Sequence, residues 1–244
     1  MTPLLSLRGI GMSYGAVTAL RDVDLDITAG EVVALCGDNG AGKSSMVKIL
    51  AGAQAPTAGS IALDGANEQF RDPQDALRKG IATIYQDLAV APRLSIWQNV
   101  FLGSELTRPP FALLDKRRMA QMSRGFLARL AVDVADMDTP VERLSGGQRQ
   151  AVAICRALRW DARIIIMDEP TAALGVKETA QVLDLIRRLH AERRTVILVS
   201  HAMQDVAAVA DRVVILRGGR KVADRPVAGL TAGDLAAMIM QRAA

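Results

Sequence analysis

Aromatic side chains are scarce in this chain: Phe, Tyr and Trp make up 3% of its 244 residues, although half of all residues are hydrophobic. A core built mainly from Val, Ile, Leu and Ala suits parallel strands covered by helices. Cysteine is scarcer still. Cys36 and Cys155 lie far apart without metal-ligand spacing and read as small buried apolar residues. Long apolar runs are missing too. The longest stretch free of Asp, Glu, Lys and Arg, Ile49 to Leu63, is interrupted by Gln54, Pro56 and glycines, which excludes a membrane-spanning helix. No basic segment followed by a continuous apolar one opens the chain, so a secretory signal is not expected and a cytoplasmic location is. Neither an internal repeat nor a low-complexity tract is visible. Charge of one sign is hardly in excess, since 30 Lys and Arg face 26 Asp and Glu for a net +4. The densest basic clusters, Lys116 to Arg118, Arg187-Arg188 and Arg193-Arg194, read as solvated helix faces, which argues against a nucleic-acid partner.

What is present is an ordered alternation of patterns. Val23, Leu25 and Ile27 alternate with Asp22, Asp24 and Asp26, and Ile61 and Leu63 precede an Asp64-Gly65 turn, as in antiparallel strands with one wet face. Between them Val32 to Cys36 is a continuous apolar run, a buried strand feeding a loop, and Ser44 to Leu50 reads as helix. From about 88 to 160 the pattern turns helical, with Met119, Met122, Phe126 and Leu130 at spacings of three and four. Strand signals return at Ile164 to Met167, Thr195 to Ser200 and Val213 to Leu216, separated by a helix that buries Val182, Leu183, Ile186 and Leu189. That alternation predicts a parallel sheet, with Gly218-Gly219 as a closing hairpin turn. The expectation is one α/β domain over residues 1–244 with a helical subdomain at about 88–160.

Gly37-Asp38-Asn39-Gly40-Ala41-Gly42-Lys43-Ser44 fits G-x-x-x-x-G-K-[ST] and sits between an expected strand and an expected helix. Its glycines let backbone N–H groups face a polyphosphate at a helix N-terminus, Lys43 reaches the β- and γ-phosphates, and the Ser44 hydroxyl is placed for Mg²⁺. Ile164 to Met167 carries Asp168 and Glu169 to its C-terminal edge, where ligands of open α/β sheets bind. Asp168 is placed to hold Mg²⁺ and Glu169 to orient and deprotonate the attacking water. Leu144-Ser145-Gly146-Gly147-Gln148 opens an amphipathic helix with Ala151, Ile154 and Leu158 on one face, and its Ser and glycines make a second phosphate site. One ATP does not need two cradles from one chain, so this loop is expected to close on the nucleotide of another subunit.

At these residues the sequence resembles the ATP-binding cassette (ABC) family over nearly its whole length, LSGGQ being that family's signature. The resemblance implies an ABC-type P-loop NTPase: a mixed RecA-like core, an N-terminal antiparallel β subdomain and an α-helical signature subdomain. It implies two copies, or paired cassettes, packed head to tail, each ATP lying between residues 37–45 of one chain and Ser145, Gly146, Gly147 and Gln148 of the other. It further places Tyr14 on the adenine, Gln86 on Mg²⁺ and the water, and His201 on the γ-phosphate. Catalysis would then rest on Glu169, His201, Gln86 and Lys43, and Mg²⁺ on Ser44, Gln86 and Asp168. Gly175 departs from the pattern, since many members carry Asp there, which removes a carboxylate from the expected contact across the dimer. Ser45, the Thr171 to Glu178 run and the segment Ser95 to Gly103 look similar to bacterial importers of ribose, xylose and fructose. That subgroup resemblance implies an ATPase driving a membrane permease on the inner face of the cell membrane, with an extracytoplasmic binding protein selecting the solute. Apolar residues Leu88, Val90, Leu94, Ile96 and Trp97 are expected to offer the permease a docking surface. The alternative, a soluble cassette acting on nucleic acid or ribosomes, lacks the long heptad insertion or second cassette that such members carry.

Overall fold

The computed structural model describes residues 2–172 and 174–240. The chain opens with β1 (Leu5–Tyr14) and β2 (Val17–Ile27), then β3 (Val32–Cys36) and helix α1 (Lys43–Leu50). A hairpin of β4 (Ala58–Leu63) and β5 (Ala66–Glu68) leads to α2 (Pro73–Arg78) and β6 (Ile81–Ile84). Next come α3 (Ile96–Phe101), the short strands β7 (Thr107–Arg108) and β8 (Leu113–Leu114), α4 (Lys116–Arg129), a 3-10 turn at Val141–Arg143 and α5 (Gly146–Arg159). The chain then runs through β9 (Ile164–Asp168), α6 (Val176–Ala191), β10 (Thr195–Val199), α7 (Met203–Val209), β11 (Arg212–Arg217), β12 (Arg220–Pro226) and α8 (Ala232–Met240).

Two large sheets carry the fold. The antiparallel sheet has the order β2-β1-β4-β5, with Val23, Leu25 and Ile27 buried and the intervening aspartates exposed, as the alternation requires. The second sheet has the order β12-β11-β3-β10-β9-β6, parallel throughout except for the antiparallel edge strand β12. Its inner strands are continuous apolar runs because both faces are covered. Val33, Leu35, Ile164, Ile166, Ile197 and Val199 pack with α1 and the antiparallel sheet. Their neighbours Val32, Ile165, Met167, Val196 and Leu198 pack with α5 and α6 on the opposite face. The alternation of side chains along each strand therefore puts α1 and α5 on opposite sides of one sheet.

Fully burying a Val, Leu or Ile side chain contributes about 1.5–3 kcal/mol, whereas a helical glycine costs roughly 1 kcal/mol. The buried face of α5, from Ala151 through Leu158, thus outweighs the poor helix propensity of its opening Gly146-Gly147 pair.

Several sequence expectations change, and in α6 it is Leu185 that is buried while Leu183 is only half-buried. In α4, Met122 is exposed and Ser123 takes the buried position, its hydroxyl donating to the Met119 carbonyl at 2.9 Å, which satisfies the one polar group it carries. Ile96 and Trp97 belong to the core: they are the inward face of α3, and the Trp97 indole N–H donates to Asp138 at 2.8 Å. Leu88 and Val90 are half-buried against the same core and Leu94 is half-buried too, so of the five apolar residues expected on a docking face these three keep exposed surface and Ile96 and Trp97 do not. The β7–β8 hairpin, finally, has no periodic signal in sequence because it is two residues long on each side. Gly218 and Gly219 both take positive φ and close the β11–β12 hairpin as the sequence predicts.

Candidate functional site

Strand register determines what meets at the edge of the parallel sheet. Val199 lies opposite Leu35 on one side and Asp168 on the other, so the loops after β3, β9 and β10 leave the same edge together. Those loops carry residues 37–42, Glu169 and His201. β6 pairs with β9 through Ile84 and Met167, so the segment after β6, on which Gln86 is exposed, leaves the same sheet edge as Asp168. β6 ends at Ile84, two residues before Gln86.

The loop before α1 has a shape that side chains would spoil. At Gly42, with φ of 107°, a Cβ would sit 2.6 Å from Leu20 Cδ2 and 2.7 Å from the Ala19 carbonyl; at Gly37 it would meet the Leu216 carbonyl at 2.2 Å. The loop is braced from outside by the β11–β12 turn, where Gly219 N–H donates to the Ala41 carbonyl at 3.1 Å. Asp38, Asn39 and Gly40 face solvent while Gly37 and Ala41 are buried. Lys43 curls back over the loop, its ammonium donating to the carbonyls of Gly37 at 2.6 Å and Asp38 at 3.1 Å. No side chain caps α1, so the first-turn N–H groups, those of Ser44 and Ser45 among them, are left for an external acceptor. Tyr14, at the end of β1, is partly exposed and donates its hydroxyl to Gln54 at 2.9 Å, with Ser45 Oγ 3.5 Å away.

Two carboxylates and an imidazole face this loop. Burial, reinforced by neighbouring Glu169 and opposed by Lys43, pushes the Asp168 carboxyl above its ordinary range. Glu169 is held at φ 52°, a left-handed conformation uncommon for a non-glycine residue, by the bond from its N–H to the Val199 carbonyl at 2.9 Å. Its carboxylate is largely buried and meets His201 Nδ1 at 2.8 Å, while the His201 side chain is 73% exposed. The oxygen donors that the sequence assigns to Mg²⁺, the Ser44 hydroxyl, Gln86 amide and Asp168 carboxylate, are of the kind a hard cation takes alongside waters and phosphates. Among the described residues no group of three or more His, Cys, Asp or Glu side chains is placed to hold a metal ion. Cys36, one residue before the loop, is buried and its thiol is pushed up to about 12, so it is inert packing.

Ser145 to Gln148 do not join this group. Among the described residues no hydrogen bond links 145–148 to 37–45, and the bonds that leave the second loop run instead to Glu178 in α6 and to the Asp133 carbonyl. Ser145 caps α5 in a reciprocal box with Gln148: Gln148 N–H donates to Ser145 Oγ at 3.3 Å and Ser145 N–H to Gln148 Oε1 at 3.0 Å. Gly146 N–H donates to Glu178 Oε1 at 3.2 Å. The Ser145 hydroxyl proton and, among the described residues, the Gly147 N–H remain without acceptors. Glu178 was not singled out by sequence reasoning. A glutamate three residues after a helix start is a legible capping signal, but its reach to Gly146 depends on a contact 32 residues away.

The sequence matches the ABC transporter family over residues 20–172, a span that includes the loop at 37–44, the 145–148 loop and Asp168-Glu169. The fructose import ATP-binding protein FrcA of Rhizobium meliloti is 46% identical over 226 residues, covering 90% of this chain and 87% of that protein. The xylose/arabinose import ATP-binding protein XylG of Sulfolobus acidocaldarius is 46% identical over 220 residues, with the same coverage. Among solved structures, the dimeric post-hydrolysis state of the ATP-binding cassette MJ0796 bound to ADP and Pi superposes with a TM-score of 0.77 at 25% identity, covering 93% of this chain and all of that one. The family match over residues 20–172, with relatives and architecture that agree along nine-tenths of its length, makes this chain a member of the ABC transporter family.

Proposed function

We propose that this chain is the ATP-hydrolysing, energy-coupling subunit of a sugar importer, two copies of which sandwich ATP and drive a membrane permease. The observation that carries this reading is the division of phosphate-binding groups between the two faces of one sheet. An uncapped α1 meets Asp168, Glu169 and His201 on one side, and Ser145 and Gly147 are presented away from them on the other.

In this reading, residues 37–45 bind the phosphates with backbone N–H groups, and Lys43 exchanges the loop carbonyls for phosphate oxygens. Tyr14 lies against the adenine. Ser44, Gln86 and Asp168 hold Mg²⁺, which would neutralise charge on the phosphates. Glu169 orients the attacking water and accepts its proton, with His201 fixing the carboxylate and reaching the γ-phosphate. The partner's copy of Ser145, Gly146, Gly147 and Gln148 completes the cradle. Val176, 91% exposed at the start of α6 beside the signature contact, is an apolar residue that a second copy would cover.

Next to the exposed part of the stretch 87–97, a second surface suits the permease. A groove of about 430 Å³ opens between α2, β6 and α5, lined by Leu77, Tyr85, Leu102, Ala153, Arg156 and Trp160. Tyr85, Leu102 and Trp160 are exposed, and a short permease helix would fill the groove. Among the described residues no helix is long and apolar enough to cross a membrane, so contact with the bilayer's inner face would come through that partner.

The test is uptake of labelled monosaccharides by cells with and without this subunit. The account expects uptake to be lost without it and not restored by Glu169→Gln. Undiminished uptake, with ATP hydrolysis stimulated by DNA or ribosomes, would favour the soluble-cassette alternative.

A further inference from the structure

We propose that Glu178 is a positioning residue that ties the signature loop to the segment leaving the catalytic carboxylate, so that one nucleotide site sets the geometry of the loop offered to the other. This inference rests on the composite-site reading above.

The geometry is a single carboxylate shared by two helix starts. Glu178 Oε2 accepts the N–H of Gly175, at the start of α6, at 3.0 Å, and its other oxygen accepts the N–H of Gly146, at the start of α5, at 3.2 Å. A negative charge between two helix N-termini is favoured by both dipoles. Gly175 has no side chain of its own with which to hold the α6 start, so the anchor comes from within the helix.

The two helices meet closely there because the signature residues are glycines. A Cβ at Gly146 would lie 2.6 Å from Leu174 Cδ2, and one at Gly147 would lie 2.5 Å from Gln181 Oε1. Upstream, the segment is fixed to the catalytic strand: Glu169 N–H bonds Val199, Ala172 N–H bonds the Glu169 carbonyl, and the Thr171 hydroxyl donates to Asp205 at 2.7 Å. Leu174 N–H returns to the Thr171 carbonyl. A movement of Glu169 against bound nucleotide is therefore passed through a hydrogen-bonded turn to Gly175, and through Glu178 to Gly146. Ser145 and Gly147, which serve the opposite nucleotide, move with it.

The test uses the full chain in the Glu169→Gln background, which holds ATP. Two quantities are measured: the MgATP-dependent dimer dissociation constant by analytical ultracentrifugation, and single-chain affinity for a fluorescent ATP analogue. Adding Glu178→Ala is expected to weaken the dimer by on the order of ten-fold, with single-chain affinity unchanged, because residues 37–45 lie on the other face of the sheet. Glu178→Gln keeps one acceptor and should weaken the dimer less; it decides the matter if the alanine variant does not fold. A purely structural role would lower the melting temperature and leave the dimer constant of folded protein unchanged, which would overturn the proposal. Failure of Glu169→Gln itself to dimerise would overturn the composite site, and this inference with it.

Discussion

α1 and α5 both begin beside glycine on opposite faces of one sheet, and their starts are finished in opposite ways. Behind Gly42, α1 has no side-chain cap, and its first-turn N–H groups have no partner of that kind. Behind Ser145, α5 has both halves of a capping box, and Glu178 satisfies Gly146 as well. A side-chain cap is worth about 0.5–2 kcal/mol. The first helix forgoes that stability and stays open to an anion; the second is stable alone and keeps two donors, Ser145 O–H and Gly147 N–H, for something presented to it. In the proposed function, one chain therefore carries a receptor for phosphates and, separately, a finished surface offered to another chain's phosphates.

The comparison predicts that chemistry and binding fail separately. Glu169→Gln should slow hydrolysis by about 10²- to 10⁴-fold, roughly 3–5 kcal/mol of barrier, in a steady-state phosphate-release assay, with ATP affinity retained. Unchanged turnover would remove Glu169 as the base. Lys43→Ala acts on the open helix start, and the loss of a phosphate-facing cation should lower single-chain nucleotide affinity by on the order of 100-fold, about 2.7 kcal/mol, by calorimetric titration. Normal affinity would contradict the loop assignment and erase the contrast between the two helices.

The smallest effect concerns the price of that open site. Asp168 is half-buried beside Glu169, and both burial and the like charge hold its carboxyl above the ordinary range. Its charged form is disfavoured in the folded chain, so stability declines as pH rises from the unfolded-state value through the raised folded one. Asp168→Asn removes that charge and should raise the melting temperature of the nucleotide-free chain slightly, while Mg²⁺-dependent hydrolysis is lost. A lower melting temperature would show that the carboxylate contributes to the apo fold.

The local parts of the site were legible in sequence. Val32 to Cys36 is a strand residue for residue, and the loop and the Ile164–Asp168 strand follow from glycine placement and continuous apolar runs, which depend on near neighbours alone. What could not be read depends on distant partners. Ile96 and Trp97 look the same in sequence whether they face a permease or the core, because periodicity marks an apolar face without saying what covers it. Ser123 displaces Met122 because a back-bonded hydroxyl is tolerated inside. Glu178 shows its cap on α6 in sequence, yet its second bond exists only once α5 is packed against α6.

The most direct measurement is the mass of the Glu169→Gln chain by light scattering, with and without saturating MgATP. The expected mass is 26.1 kDa without nucleotide and twice that with it, and a species that stays at 26.1 kDa under saturating MgATP would contradict the two-chain site.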